Sequence, residues 1–387
     1  MSRPTQRPSS TRVAPSALAL ASVLALASCG SDPGAASTGT AGAGTVAVTA
    51  TDTTCDLSTT TAPAGVVTFS VTNAGTRTTE FYLYAEGDRI VSEVENITPG
   101  LTRALQVELT EPATLESACK PGMVGDGIRA DFTITGTAPK GSADAKVAKA
   151  ITDYRAHVAA EAAELVTRTG EFVTAVKAGD VTRARALYAP ARHPWETIEP
   201  VAESFGDLDP RIDGREDVVA DGQEFTGYHR LEKDLWVDGL QPDSGAVADR
   251  LLADVTEIAT RSATVEPTAL SIANGAKALL DEVATGKITG EEERWSHTDL
   301  WDFDGNLDGS RQALAALRPV IVERDPALQQ ALDARFTELS SGLASHRTAA
   351  GGYVSYTALT AADLKVLTVS LDALAEEVAK VPGVVAP

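Results

Sequence analysis

His229 and Glu232 stand three residues apart in the stretch Phe225-Thr-Gly-Tyr-His-Arg-Leu-Glu-Lys-Asp-Leu-Trp236. On a helix that spacing puts imidazole and carboxylate on one face. Carboxylate-rich bundles use this i, i+3 arrangement, in the reverse order, to hold iron or manganese between facing helices. An ordinary surface pair has the same spacing, so two further segments bear on the reading. Trp195-Glu196-Thr-Ile-Glu199-Pro-Val-Ala-Glu203 carries three carboxylates at helical spacing, and Ser296-His297-Thr-Asp299-Leu-Trp301-Asp302-Phe303 carries a histidine with two aspartates three apart. A face holding Glu196, Glu199 and Glu203 repels itself unless it is solvated or bridged by a cation, so a buried version of it predicts a metal. Imidazole with several hard carboxylate oxygens suits Fe(II) or Fe(III), with Zn and Mn also accommodated. His157 and His346 have no acidic cluster of matching period and read as surface or core residues, whereas His193, three before Glu196, fits either role.

These residues need helices to carry them, and the sequence supplies them from residue 146 onward. Val147, Ile151, Tyr154, Val158, Ala162, Leu165, Phe172 and Val176 recur mostly at three or four, which predicts one long amphipathic helix. Helical runs follow at 180–190, 193–205, 222–236, 244–261, 270–285, 307–322, 326–345 and 361–380, so residues 146–387 are expected to form an all-α bundle. Before it, residues 46–136 alternate with period two around Val46, Val67, Leu105 and Ile128, with turn-formers between, which predicts a small antiparallel β-sandwich. A linker at 137–145 separates the two.

The chain begins with Arg3, Arg7 and Arg12, an apolar stretch from Val13 to Ala27, and Leu26-Ala27-Ser28-Cys29. Residues 1–28 therefore read as a signal peptide, too short in its apolar part for the roughly 20 residues that span a bilayer. LASC resembles a bacterial lipobox, which implies cleavage before Cys29 and lipidation of its thiol. Residues 29–45 then form a lipidated cysteine and a flexible Gly/Ala/Ser/Thr tether, and the protein is expected at the outer face of the cytoplasmic membrane, held through its lipid. The chain carries 33 Lys and Arg against 54 Asp and Glu; removing residues 1–28, which hold three Arg and no acid, leaves 30 against 54 and a net charge of -24. No basic face is available to neutralise phosphates, which excludes nucleic acid as a partner. The acidic field instead favours capture of cations.

The stretches WETIEPVAESFGDLDPRIDGRED, FTGYHRLEKDLW and GEEERWSHTDLWDFDGNLDGS resemble the imelysin-like domain, a family classed by name among the peptidases, and in particular its EfeO branch. The likeness includes the family's G-x-H-x-x-E at Gly227, His229 and Glu232. It implies an iron-binding lipoprotein that works with a membrane iron permease and a haem peroxidase, and that is not an enzyme. It also implies His229 and Glu232 as metal ligands, with Glu196 and Asp299 or Asp302 completing the set. A metallopeptidase is the alternative, yet no H-E-x-x-H places a Glu as general base between two ligands.

The β-domain resembles a cupredoxin-like domain, with Glu93-Val-Glu95-Asn-Ile-Thr-Pro-Gly100 and Cys119-Lys-Pro-Gly-Met123 carrying the likeness. It contains Cys55, Cys119 and Met123 but no histidine, which excludes a blue-copper centre. Two cysteines in an exported protein fit a disulfide. As thiolates beside Glu80 they would instead make a second metal site, open to iron and to Cu or Zn.

Overall fold

The computed structural model describes residues 44–139, 144–202, 204–206, 208–217 and 224–386. The signal segment, Cys29, most of the tether, Glu203 and part of the linker lie outside the described residues. An N-terminal β-region is followed by a helical one, the expected fold class.

Among the described residues nine strands form the sandwich: β1 (Thr45–Ala50), β2 (Cys55–Leu57), β3 (Thr61–Pro63), β4 (Gly65–Asn73), β5 (Thr79–Ala85), β6 (Arg89–Ile97), β7 (Thr102–Leu109), β8 (Ala113–Cys119) and β9 (Ile128–Thr135). They make a four-stranded sheet in the order β2-β1-β4-β7 and a five-stranded sheet in the order β3-β9-β8-β5-β6. Two pairs, β1 with β4 and β3 with β9, are parallel, so the sandwich is mixed and not antiparallel throughout. The inward residues of β1 and β4 are those that alternation marks out, and Phe69 meets Phe81 and Phe132 at ring distances of 5.3 and 5.0 Å in the core between the sheets. Strand β5 (TEFYLYA) shows no apolar alternation because both of its faces are covered. Phe81 and Leu83 point into the core, while Tyr82 and Tyr84 stack on the opposite face under Lys120 and Arg129.

The helices are α1 (Ala145–Lys177), α2 (Val181–Ala202), α3 (Asp209–Ile212), α4 (Gly227–Lys233), α5 (Ser244–Ser262), α6 (Ala269–Thr285), α7 (Asp299–Arg324), α8 (Pro326–Ala344), α9 (Ala361–Val378) and α10 (Val381–Val385). Helix α4 passes directly into a π-helical turn, Asp234–Asp238. Helices α1, α2, α5, α6 and α7 surround the core that holds Phe172, Tyr188, Trp195 and Phe303. The separate runs expected at 180–190 and 193–205 are one helix, α2, although it contains Pro190, Pro194 and Pro200.

A proline removes one N–H and so frees the carbonyl four residues earlier. Side chains from neighbouring helices take up two of these carbonyls. Arg168 donates to the Pro190 carbonyl at 3.3 Å, and Asn306 donates to the Glu196 carbonyl at 2.9 Å. Helix α7 comes close enough for the second contact because Gly305 and Gly309 face α2. A Cβ on Gly305 would lie 2.5 Å from the Glu196 Cβ, and one on Gly309 would lie 2.3 Å from the Thr197 carbonyl oxygen. The sandwich packs on the bundle through α6, where Asn274 donates to the Gln106 carbonyl at 2.8 Å.

Candidate metal centre

His229 lies in the first turn of α4, two residues after Gly227, and is 1% exposed. Gly227 has φ of 80°, a left-handed value that favours glycine, and a Cβ there would fall 2.2 Å from the Ile212 carbonyl oxygen. The chain after α3 therefore packs directly on the start of α4 and delivers Asp213 to the imidazole. From the other side the segment between α6 and α7 delivers Glu292 and Glu293.

The two ring nitrogens have different surroundings. Nδ1 lies 3.2 Å from Glu232 Oε2, while Glu232 Oε1 accepts from the backbone N–H groups of Trp295 at 2.9 Å and Ser296 at 2.6 Å. Nε2 is buried without a hydrogen-bond partner, 3.5 Å from Asp213 Oδ1 and 3.6 Å from Glu292 Oε1. Two clusters among the described residues have ligand atoms close enough to share an ion, Asp213 with His229 and Glu292, and His229 with Glu232 and Glu293. Ligands about 2.0–2.2 Å from one ion lie roughly 3.0–3.6 Å from each other, which is the spacing on the Nε2 side. A void of about 10 Å³, lined by Arg215, His229, Glu292, Arg294 and Trp295, adjoins that side.

Protonation separates the two clusters further. Burial would raise Asp213 and Glu292, but Arg192 and His229 hold the first below the ordinary carboxylate range, and Lys287, His229 and Arg215 hold the second well below it. Glu232, also opposed by burial, is lowered by His229 and the two backbone amides. Glu293 is pushed well above the usual range by burial and by the neighbouring Glu232. The His229 imidazole is raised to about 10: burial and Arg192 act to lower it, and Glu232, Glu292 and Asp213 outweigh them. The Nε2 side thus faces two carboxylates held towards the ionised form, whereas on the Nδ1 side Glu232 is lowered and Glu293 raised.

The expected completing carboxylates stand apart from both clusters. Glu196 Oε1 pairs with Arg192 at 2.6 Å, and its Oε2 lies 3.5 Å from the Lys287 Nζ. Asp302 lies 3.4 Å from Arg192 Nε, and Asp299 accepts the Glu293 N–H at 3.1 Å, which fixes the segment carrying Glu292 and Glu293. Arg192, wholly buried, also pairs with Glu293 at 2.7 Å and with Asp213, whose other oxygen accepts from Trp195 Nε1 at 3.0 Å. The structure adds Asp213, Glu292 and Glu293 to the residues expected. All three lie within the stretches that resemble the imelysin-like domain, but none stands three residues from a histidine as Glu232 does. His193 faces Asp304 at 3.5 Å, and His157 is half-buried beside Tyr154, so neither joins the centre.

In the sandwich Cys55 and Cys119 are joined in a disulfide. Neither sulfur is a thiolate in this structure, which corrects the reading of Cys55, Glu80 and Cys119 as a metal site. Glu80 lies buried on the outer face of β5, its carboxyl pushed up to about 7 chiefly by burial.

The chain matches the family model for imelysin over residues 150–381 and that for the cupredoxin-like domain over residues 16–134. It is 39% identical over 346 residues to the iron uptake system component EfeO of Escherichia coli strain K12, covering 88% of this chain and 91% of that protein. The proteins of the same description from Escherichia coli O1:K1 / APEC and from Shigella flexneri match to the same extent.

Proposed function

Since the chain belongs to the imelysin family, and within it to the EfeO-type iron uptake components, we propose that it captures an iron ion outside the cytoplasmic membrane and passes it to a membrane permease. Residues 1–28 direct export, lipidated Cys29 tethers the folded part to the membrane, and a haem peroxidase completes the system. Among the described residues no helix is long and apolar enough to cross a membrane.

One observation carries the capture site: a buried His229 Nε2 with no hydrogen-bond partner faces two carboxylates at ligand-to-ligand spacing. The ion is held there by His229, Asp213 and Glu292, all from separate segments, so the site closes around it. Glu232 accepts from Nδ1–H and aims the ring, as carboxylates behind metal-binding histidines do. Imidazole with ionised carboxylates suits iron, and the ion must displace the proton that His229 carries in its absence.

The test is calorimetry on residues 30–387, the exported chain without its lipidated cysteine, with Fe(II), Fe(III), Zn, Mn and Cu, comparing wild type with Glu292→Gln and His229→Ala. Wild type is expected to bind iron at one site in the bundle, with both variants weakened at least 100-fold. Unchanged iron binding in both variants overturns the assignment. Peptide cleavage by wild type, lost in Glu232→Ala, would replace capture with peptidase activity.

A further inference from the structure

A buried row of glutamates on α2 calls for a bridging cation, and the structure provides one. Glu196 and Glu199, on the face of α2 turned to the core, meet the ammonium of Lys287, whose side chain is wholly buried. Its Nζ lies 3.5 Å from Glu196 Oε2, 3.4 Å from both oxygens of Glu199 and 3.2 Å from Glu282 Oε2. Three carboxylates thus converge from α2 and α6 on one positive charge, carried by the short 3-10 turn Lys287–Thr289. A fourth polar group, the wholly buried Asn306, completes the surround. Its Nδ2 donates to Glu199 Oε2 at 2.8 Å and to Glu196 Oε2 at 3.2 Å, while its Oδ1 has no partner.

We propose that this is a second cation cage, filled by the Lys287 ammonium, and that the tethered charge limits the bundle to the single ion captured at His229. The cage has the donors of a hard divalent cation: three carboxylates that converge on one point, beside the wholly buried Asn306. Lys287 blocks it because a free ion must displace a charge that is covalently attached and already bridges the three acids. The arrangement accounts for Glu196 lying outside both clusters around His229: its two oxygens are committed to Arg192 and Lys287. The proposal goes beyond the capture reading and needs it only for the count of one.

The two are separated by working in a His229→Ala/Glu292→Gln background, where the capture centre is disabled. Mn(II) is the probe, counted by loss of the free-ion resonance signal. The background protein is expected to bind no Mn(II) in the bundle, and adding Lys287→Ala is expected to create one site, which Glu282→Gln then weakens at least tenfold. Mn(II) should also raise the melting temperature of the Lys287→Ala protein by several degrees and leave that of the background unchanged. No gained site overturns the proposal, and so does a Lys287→Ala protein that folds neither with nor without Mn(II), because the ion is held to replace the ammonium. Lys287→Met keeps the stem and lacks the charge. It is expected to gain no ion and to lose stability as pH rises from 5 to 8, since breaking one partner of a buried ionic set leaves the others uncompensated. A Lys287→Met protein as stable as its parent at pH 8 would mean that no resident cation is needed there.

Discussion

At the scale of single residues, His229 holds the functional question in its two nitrogens. Glu232 fixes one of them and leaves the other facing Asp213 and Glu292. With its pKa raised to about 10, the imidazole is charged at neutral pH, and any ion entering at Nε2 must expel that proton. Affinity is therefore expected to rise by about tenfold per pH unit over the accessible range below 10, which Zn(II) titrations at pH 6.0, 6.5, 7.0 and 7.5 would measure. The stability of the ion-free protein has the opposite slope. The folded-state pKa lies above the ordinary 6.5, so the contribution is complete below pH 6.5 and is lost as pH climbs towards 10. A pH-independent affinity would mean that Nε2 is not a ligand. The sequence made His229 and Glu232 legible because both sit on one helical face. Asp213, Glu292 and Glu293 come from loops 16 or more residues away in sequence, and periodicity carries no signal for residues brought together only by tertiary packing.

At the scale of elements, glycines and prolines decide which segments touch. Alternation revealed β1, β4, β7 and β9, but β5, covered on both faces, hides its strand period behind Glu80, Tyr82 and Tyr84. Three prolines make α2 look like two helices, and its continuity rests on Arg168 and Asn306, which bond the carbonyls that two of those prolines release. Gly227 is the element-scale lever on the candidate metal centre. An alanine there needs φ of 80° and places its Cβ 2.2 Å from a backbone oxygen, so the chain at Ile212 must retreat and take Asp213 with it. Gly227→Ala is expected to cost about 1–3 kcal/mol in thermal or denaturant unfolding and to weaken ion binding roughly 10–100-fold. A stability loss with full affinity would show that Asp213 is dispensable.

At the scale of the whole molecule, the sandwich and the bundle were separable in the sequence by the change of period near residue 146. Their packing was not legible, because the α6 contact with the sheet runs through isolated polar residues such as Asn274. The disulfide closes a 64-residue separation between β2 and β8. Its reduction, or a Cys55→Ala/Cys119→Ala pair, is expected to destabilise the sandwich by roughly 4 kcal/mol, read by unfolding with and without reductant. The bundle's ion binding should be unaffected, since its centre draws nothing from the β-domain. One feature of that centre bears on time and not on strength. The segment from Asp213 to Asp217 is fastened inside by the buried Arg192–Asp213 pair and outside by Lys233–Glu216 and Arg294–Asp217, which face solvent. Salt screens the outer pairs and hardly touches the inner one. Stopped-flow release into a chelator should therefore quicken between 20 and 300 mM NaCl even where the equilibrium constant moves little. The outer pairs act as a clasp whose grip follows the surrounding medium, so the dwell time of a bound ion would be set as much by the ionic strength around the protein as by the ligands themselves.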